Sequence, residues 1–265
     1  MSSPASHATL DYGVDGRVAR ATFARPQEGN TLSEQALDDL NDVVASVQGD
    51  PEIRTLVIGG SGDAFCAGIA EELLGNAFDD LEYFEHVLTR VAATCLSLEA
   101  LEVPVIAAVN GRASGAGFEL ALACDLIVAA DEAKLGDTHT ATGMIPSGGG
   151  SVRLPRIVGA QRAREIIYSG RLLSGSEAAT LGLALQSVPL AELDAAVDAI
   201  AATFTDKSRR ALSACKRQIN GALGLDTPSG VEYERAESIR YLREPESDAL
   251  EGFRAEQENR PPSWA

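Results

Sequence analysis

The chain has 265 residues, 45% hydrophobic and 23% charged, which is ordinary usage for a folded domain and too apolar for a wholly disordered chain. That length suits one large domain, or one domain with a small appendage. Lys and Arg number 22 against 39 Asp and Glu, a formal net charge of −17, so nucleic acid and anionic membrane surfaces are not expected as partners.

No apolar run reaches the roughly 18 residues of a transmembrane helix. Residues 1–9 lack the basic and apolar regions of a secretory signal, so none is expected. Cys66, Cys95, Cys124 and Cys215 show no metal-ligand spacing. Each lies in an apolar or Ala-rich stretch, and the expectation is four buried, reduced thiols in a cytoplasmic protein. His7, His86 and His139 are too scattered for a zinc motif, and no metal is expected.

A strand is predicted over residues 14–23, one arm of a hairpin turning near Asp15-Gly16. Residues 25–30 read as a loop by composition. Ser33 is a plausible N-cap for a helix over 34–47, which places Leu37, Leu40, Val44 and Val47 on one face. Residues 54–59 form a short apolar strand. A long helix over 78–101 follows, then a buried strand over 103–109, a turn at Asn110-Gly111, a helix over 115–124 and a strand over 126–130. Strands apolar on both faces and separated by helices indicate an α/β layer with a mainly parallel sheet. Ser174 and Glu177 have capping-box spacing at a helix start. Beyond Ser187-Val188 no strand is evident, and helices are predicted over 191–204, 207–223, 228–242 and 247–257.

Two small-residue segments follow strand ends, where ligands bind in α/β sheets. One runs through Cys66, Ala67, Gly68, Ile69 and Ala70; the other through Asn110, Gly111, Arg112, Ala113, Ser114, Gly115, Ala116 and Gly117. Small side chains let a ligand approach backbone N–H groups, and the second segment opens a helix, so the pair is suited to holding one oxyanion. Tight turns with close helix–strand packing account for the composition equally well. Glu119 has Gly115, Ala116, Leu122 and Ala123 as its helical neighbours, with no charge on that face. A carboxyl there is either desolvated, with the raised pKa of a general acid/base, or set in a thin solvent strip or an internal salt bridge. His139 and Ser147, taken alone, read as a structural or solvated histidine and a turn or N-cap serine.

The ordered set is more specific. It comprises Ala24-Arg25-Pro26 with Asn30, Phe65-Cys66-Ala67-Gly68, Val109-Asn110-Gly111, Gly115-Ala116-Gly117-Phe118-Glu119, Leu135-Gly136, Gly143-Met144-Ile145-Pro146-Ser147-Gly148-Gly149, Arg153-Leu154, and Glu251-Gly252-Phe253 with Arg260-Pro261-Pro262. Over nearly the whole chain it resembles the enoyl-CoA hydratase/isomerase (crotonase) superfamily. The resemblance implies an α/β fold: a ββα spiral core over 1–188 carrying an acyl-CoA site, and a C-terminal helical region over 189–265 for oligomerisation and active-site cover. It implies an acyl-CoA thioester as substrate, no cofactor (coenzyme A being part of the substrate), and a homotrimer or dimer of trimers.

Residue by residue, the resemblance puts the oxyanion-hole N–H groups at Ile69 and Ala116. Backbone around Arg25 and the Cys66, Ala67, Gly68, Ala70 loop would hold the CoA portion, with Arg25 meeting a phosphate and Gly115 lining the site. Typical hydratases use two glutamates. The first matches Glu119, while the second position is His139, and a further variable position is Ser147. Enoyl-CoA hydration through a stabilised enolate, with Glu119 and His139 as the acid/base pair, is therefore expected. Isomerisation, decarboxylation, C–C cleavage and non-catalytic acyl-CoA binding are the alternatives.

Overall fold

The computed structural model describes residues 7–77, 79–245 and 247–264. In chain order they form β1 (Leu10–Asp15), β2 (Val18–Phe23), α1 (Glu34–Gly49), β3 (Thr55–Gly60), β4 (Ala64–Cys66), α2 (Glu71–Ala77), α3 (Leu81–Ala100), β5 (Val105–Val109), β6 (Arg112–Ser114) and α4 (Ala116–Ala123). These are followed by β7 (Leu126–Ala130), β8 (Lys134–Gly136), α5 (Gly150–Val158), α6 (Ala160–Ser169), β9 (Leu173–Ser174), α7 (Gly175–Thr180), β10 (Gln186–Val188), α8 (Leu193–Thr205), α9 (Arg209–Ala222), α10 (Thr227–Arg243) and α11 (Ala249–Gln257).

Two sheets run through the core. The larger has the order β1-β2-β3-β5-β7-β10, antiparallel only at the β1–β2 hairpin; the smaller has the order β4-β6-β8-β9. Each pass of the chain lays one strand in the large sheet and the next in the small one: β3 then β4, β5 then β6, β7 then β8. Helices close the passes, so the topology is a spiral of ββα turns. β3 and β5 are apolar on both faces because helices cover one side and the small sheet's turn of the spiral the other, and β5 is buried throughout.

The caps follow the sequence. Ser33 accepts a hydrogen bond from the Ala36 N–H (3.1 Å) and Ser174 from the Glu177 N–H (3.1 Å). The hairpin turns where Gly16 has φ 57°, so the strand expected over 14–23 is two strands folded about that turn. The helix expected from residue 78 begins at Leu81, capped by Asp80, and Phe78 lies outside the described residues. The three-residue strands β4, β6 and β8 add to the elements expected from the sequence. Cys66, Cys95 and Cys124 are buried, but Cys215 is exposed, against expectation.

α8 packs across β3, β5, β7 and β10, while α9 and α10 pack mainly on each other. Lys216 of α9 ties this layer to the core. Its ammonium is buried and donates to the Leu98 and Val103 carbonyls (3.0 and 3.2 Å) and to Asp125 Oδ2 (2.7 Å). Among the described residues no helix is long and apolar enough to cross a membrane.

Candidate active site

The carboxyl ends of β4 and β6 lie side by side, and the loops that leave them touch. Ser114 Oγ donates to the Ala67 carbonyl (2.9 Å), and a Cβ on Gly117 would sit 2.0 Å from the Cys66 carbonyl oxygen, so only glycine fits. Ala67 N–H also donates to the Gly29 carbonyl (2.9 Å), which joins the loop after Arg25 to the same cluster.

Within the first loop Gly68 has φ 125°, a conformation that side chains oppose. The Gly68 carbonyl accepts from Leu32 N–H (2.8 Å), and Ala70 N–H donates to the Leu32 carbonyl (3.1 Å). Both flanking groups therefore face Leu32, and extended backbone between them turns the Ile69 N–H to the opposite side. In the second loop Gly115 has φ 55° and ψ −125°, and α4 starts at Ala116, whose N–H has no intrahelical acceptor. The two N–H groups assigned to an oxyanion thus sit on abutting loops.

All eight residues of α4 are buried, and Glu119 is 0% exposed. Its Oε1 accepts from the N–H groups of Gly148 and Gly150, both at 2.8 Å. Its Oε2 has no hydrogen-bond partner among the described residues and lies 3.9 Å from His139 Nε2. Burial holds the Glu119 carboxyl above the usual carboxylate range, against the opposing pull of the Gly150 and Gly148 N–H groups and of His139. His139 ends the strand-to-turn passage after β8, and a Cβ on Gly115 would lie 3.8 Å from its Nε2, so the ring faces the second loop as well as Glu119.

Asp137 completes the cluster. It is fully buried, and its Oδ1 lies 2.8 Å from His139 Nδ1 and 3.2 Å from the His139 backbone N. Burial lowers the affinity of the imidazole for a proton, but the Asp137 hydrogen bond and the charges of Asp137 and Glu119 outweigh it, so the pKa stands above its ordinary value. Arg153 holds the glycine turn that binds Glu119. It donates to Glu99 Oε1 (2.7 Å) and to the Gly148 carbonyl (2.5 Å).

The remaining expected residues lie around this centre in different states. Ala70 is buried with Leu73 and Val87 in a small apolar cluster against which Ile69 and Tyr83 pack. Ser147 is half-buried beside Gly148 and its glycine turn. The Cys66 side chain points into the core, where burial pushes its thiol up to about 12, so only its backbone belongs to the loop. The Arg25 guanidinium donates to the Ala8 carbonyl (2.7 Å).

The profile of the enoyl-CoA hydratase/isomerase family matches residues 13–265. The chain belongs to that family. Human mitochondrial methylglutaconyl-CoA hydratase is 35% identical over 240 residues, covering 89% of this chain and 70% of the human one. The 1.8 Å crystal structure of an enoyl-CoA hydratase from Bacillus anthracis is 32% identical, with a TM-score of 0.89 over 97% of this chain and 98% of that one. Pseudomonas aeruginosa DspI is 28% identical, with a TM-score of 0.91 over 100% and 99%. The fold is therefore the crotonase fold, and the protein is a crotonase-family enzyme of a family that acts on acyl-CoA thioesters.

Asp137 and Arg153 are the site residues that sequence reasoning missed. In the sequence Arg153 is only one member of a family motif, and its partner Glu99 lies 54 positions away. Asp137 stands two residues before His139, a spacing that reads as an ordinary turn.

Proposed function

We propose that this enzyme adds water across the double bond of a 2-enoyl-CoA thioester. The observation that carries the reading is the free Glu119 Oε2, buried and set 3.9 Å from His139 Nε2. At that separation nothing fits between the two atoms, but one water or substrate carbon lying beside the pair is within reach of both the base and the acid.

In this reading the thioester oxygen accepts from Ile69 N–H and Ala116 N–H. As water adds to Cβ, negative charge builds on that oxygen, and each donor aimed at it contributes about 3 kcal/mol. Glu119 takes the proton from the attacking water. The imidazolium of His139 gives its proton to Cα. The pair is then left as a neutral acid and a neutral imidazole, and transfer from Oε2 to Nε2 restores the starting state. No cofactor enters, since the CoA thioester itself supplies the activation. The apolar group of Ala70, Leu73, Val87 and Tyr83 forms the wall against which the acyl chain lies.

Double-bond migration is the second reading. It needs only one base to carry a proton between two carbons, and the buried Glu119 has an oxygen, Oε2, with no hydrogen-bond partner among the described residues. We further propose a homotrimer or dimer of trimers. Its support is the exposed apolar surface of α9, its C-cap Leu223 and α10, at Ile219, Leu223, Val231, Ile239 and Leu242.

The assay is the loss of the conjugated-thioester absorbance of crotonyl-CoA. Turnover that depends on Glu119 supports hydration. Migration of a 3-enoyl double bond without water addition supports the second reading. Tight binding of the ester without turnover of either substrate overturns both.

A further inference from the structure

We propose that Asp137 is a positioning residue for His139, fixing its imidazole with Nδ1–H directed at the carboxylate and Nε2 directed at Glu119. The inference rests on the reading of His139 as the proton donor, and it adds to the Glu119–His139 pair a third member with a separate task.

The geometry is closed on one side and open on the other. Oδ1 of Asp137 meets both the backbone N and the Nδ1 of His139, at 3.2 and 2.8 Å. Two contacts to one residue set both the path of the backbone and the rotation of the ring. With Nδ1 bound in this way, Nε2 is the nitrogen that gains and loses the proton, and it is the one 3.9 Å from Glu119. Oδ2 of Asp137 is buried and has no partner among the described residues. A Cβ on Gly150 would lie 2.9 Å from that oxygen, so the glycine turn that binds Glu119 also closes over Asp137.

A fully buried carboxylate with half its hydrogen-bonding capacity unused is costly unless a cation lies beside it. The charged groups that act on the ring are Asp137 and Glu119. From α5, Arg153 turns away to Glu99 and the Gly148 carbonyl. From α6, the contact to the turn after His139 is the Thr140 hydroxyl donating to the Ile167 carbonyl (2.7 Å). The imidazolium is therefore the counter-charge of Asp137. In return Asp137 keeps His139 protonated while Glu119 remains ionised, the charge state in which the acid and the base are both ready. Without Asp137, the proton shared by the pair shifts toward Glu119, and water loses its base.

The test has one arm that needs no variant and one that does. Nitrogen-15 spectra of the imidazoles in the full-length enzyme contain signals from only three histidines, and a His139→Gln sample assigns the one in question. The neutral ring of His139 should carry its proton on Nδ1; a neutral ring with the proton on Nε2 overturns the proposal. In Asp137→Asn, which keeps the side-chain shape but removes the charge, kcat for crotonyl-CoA should fall about 10- to 100-fold, part of the 10²–10⁴ that a positioned acid–base group supplies. KM should stay within about twofold, since Asp137 is not placed against substrate. The alkaline limb of the kcat profile should move to lower pH, and the titration of His139 in the spectra should move with it. A lower kcat with both titrations unmoved would make Asp137 merely structural and overturn the proposal. If the unaltered enzyme fails to hydrate crotonyl-CoA, the reading of the reaction falls, and the spectra still decide the orientation of the ring.

Discussion

Oε2 of Glu119 and Nε2 of His139 face each other across 3.9 Å, from two segments twenty residues apart, with the other end of each side chain held. Oε1 is held by two backbone N–H groups at 2.8 Å, and Nδ1 by Asp137 at 2.8 Å. Each side chain thus presents one atom to the gap and spends the rest on being fixed, the arrangement that acid–base catalysis needs.

Glu119→Gln should lower kcat for crotonyl-CoA by about 10²–10⁴, the usual contribution of a positioned acid–base group, with KM changed little. The amide is close in shape, accepts the Gly148 and Gly150 N–H bonds through its oxygen, and takes no proton from water. Steady-state kinetics check this, and unchanged turnover would remove Glu119 from the mechanism.

The pH dependence follows from the directions of the two shifts. Glu119 acts ionised and its pKa is raised by burial, so activity is lost as pH falls through a value above the usual carboxylate range. His139 acts protonated and its pKa is raised by Asp137 and Glu119, so activity is lost as pH rises through a value above that of a free imidazole. The profile should be a bell whose two limbs belong to the coupled pair. His139→Ala should lower kcat and abolish the alkaline limb.

Gly68→Val should weaken acyl-CoA binding, measured by calorimetry with a saturated CoA ester. At φ 125° a β-branched residue is strained, and its Cβ would lie 3.3 Å from the Ser114 carbonyl oxygen, so the loop must leave the geometry that aims Ile69 N–H. Normal affinity would count against the first loop as part of the site.

Lys216→Met should destabilise the fold by about 1–3 kcal/mol, the usual cost of leaving buried acceptors without their donor, since the Asp125 side of the ion pair is solvent-accessible. It removes the donor from the Leu98 carbonyl of α3 and the Val103 carbonyl before β5, and the counter-charge from Asp125. Urea unfolding monitored by circular dichroism checks this, and a loss below about 1 kcal/mol would show that water replaces the ammonium there.

The spiral's long elements were legible because periodicity survives over a dozen residues, as in α1, or over a wholly apolar strand such as β5. Glu119 was legible in part: its small and apolar neighbours allow a desolvated carboxylate, but a solvent strip or internal salt bridge fits them as well, and the complete burial of α4 decides between them. β4, β6 and β8 are three residues long, too short for any period. The tie between Asp137 and His139 depends on the turn after β8 bringing an i, i+2 pair together, which strand periodicity would place side by side on one face without saying that they bond. Cys215 misled because its Ala-rich surroundings are those of a buried residue, while α9 buries Ala214 and Lys216 on its inner face and leaves Cys215 out. The order of motifs carried the family where single motifs did not, and Ile69 and Ala116 were reached only through it, since backbone donors leave no mark in side-chain chemistry.

The position of the thioester oxygen decides the mechanism, and a crystal structure with a tightly bound, unreactive acyl-CoA analogue measures it directly. The oxygen should lie about 2.7–3.1 Å from both Ile69 N and Ala116 N, with Cα and Cβ alongside the pair formed by Glu119 Oε2 and His139 Nε2. A thioester oxygen bound elsewhere, or Cα and Cβ out of reach of both side chains, would contradict this placement.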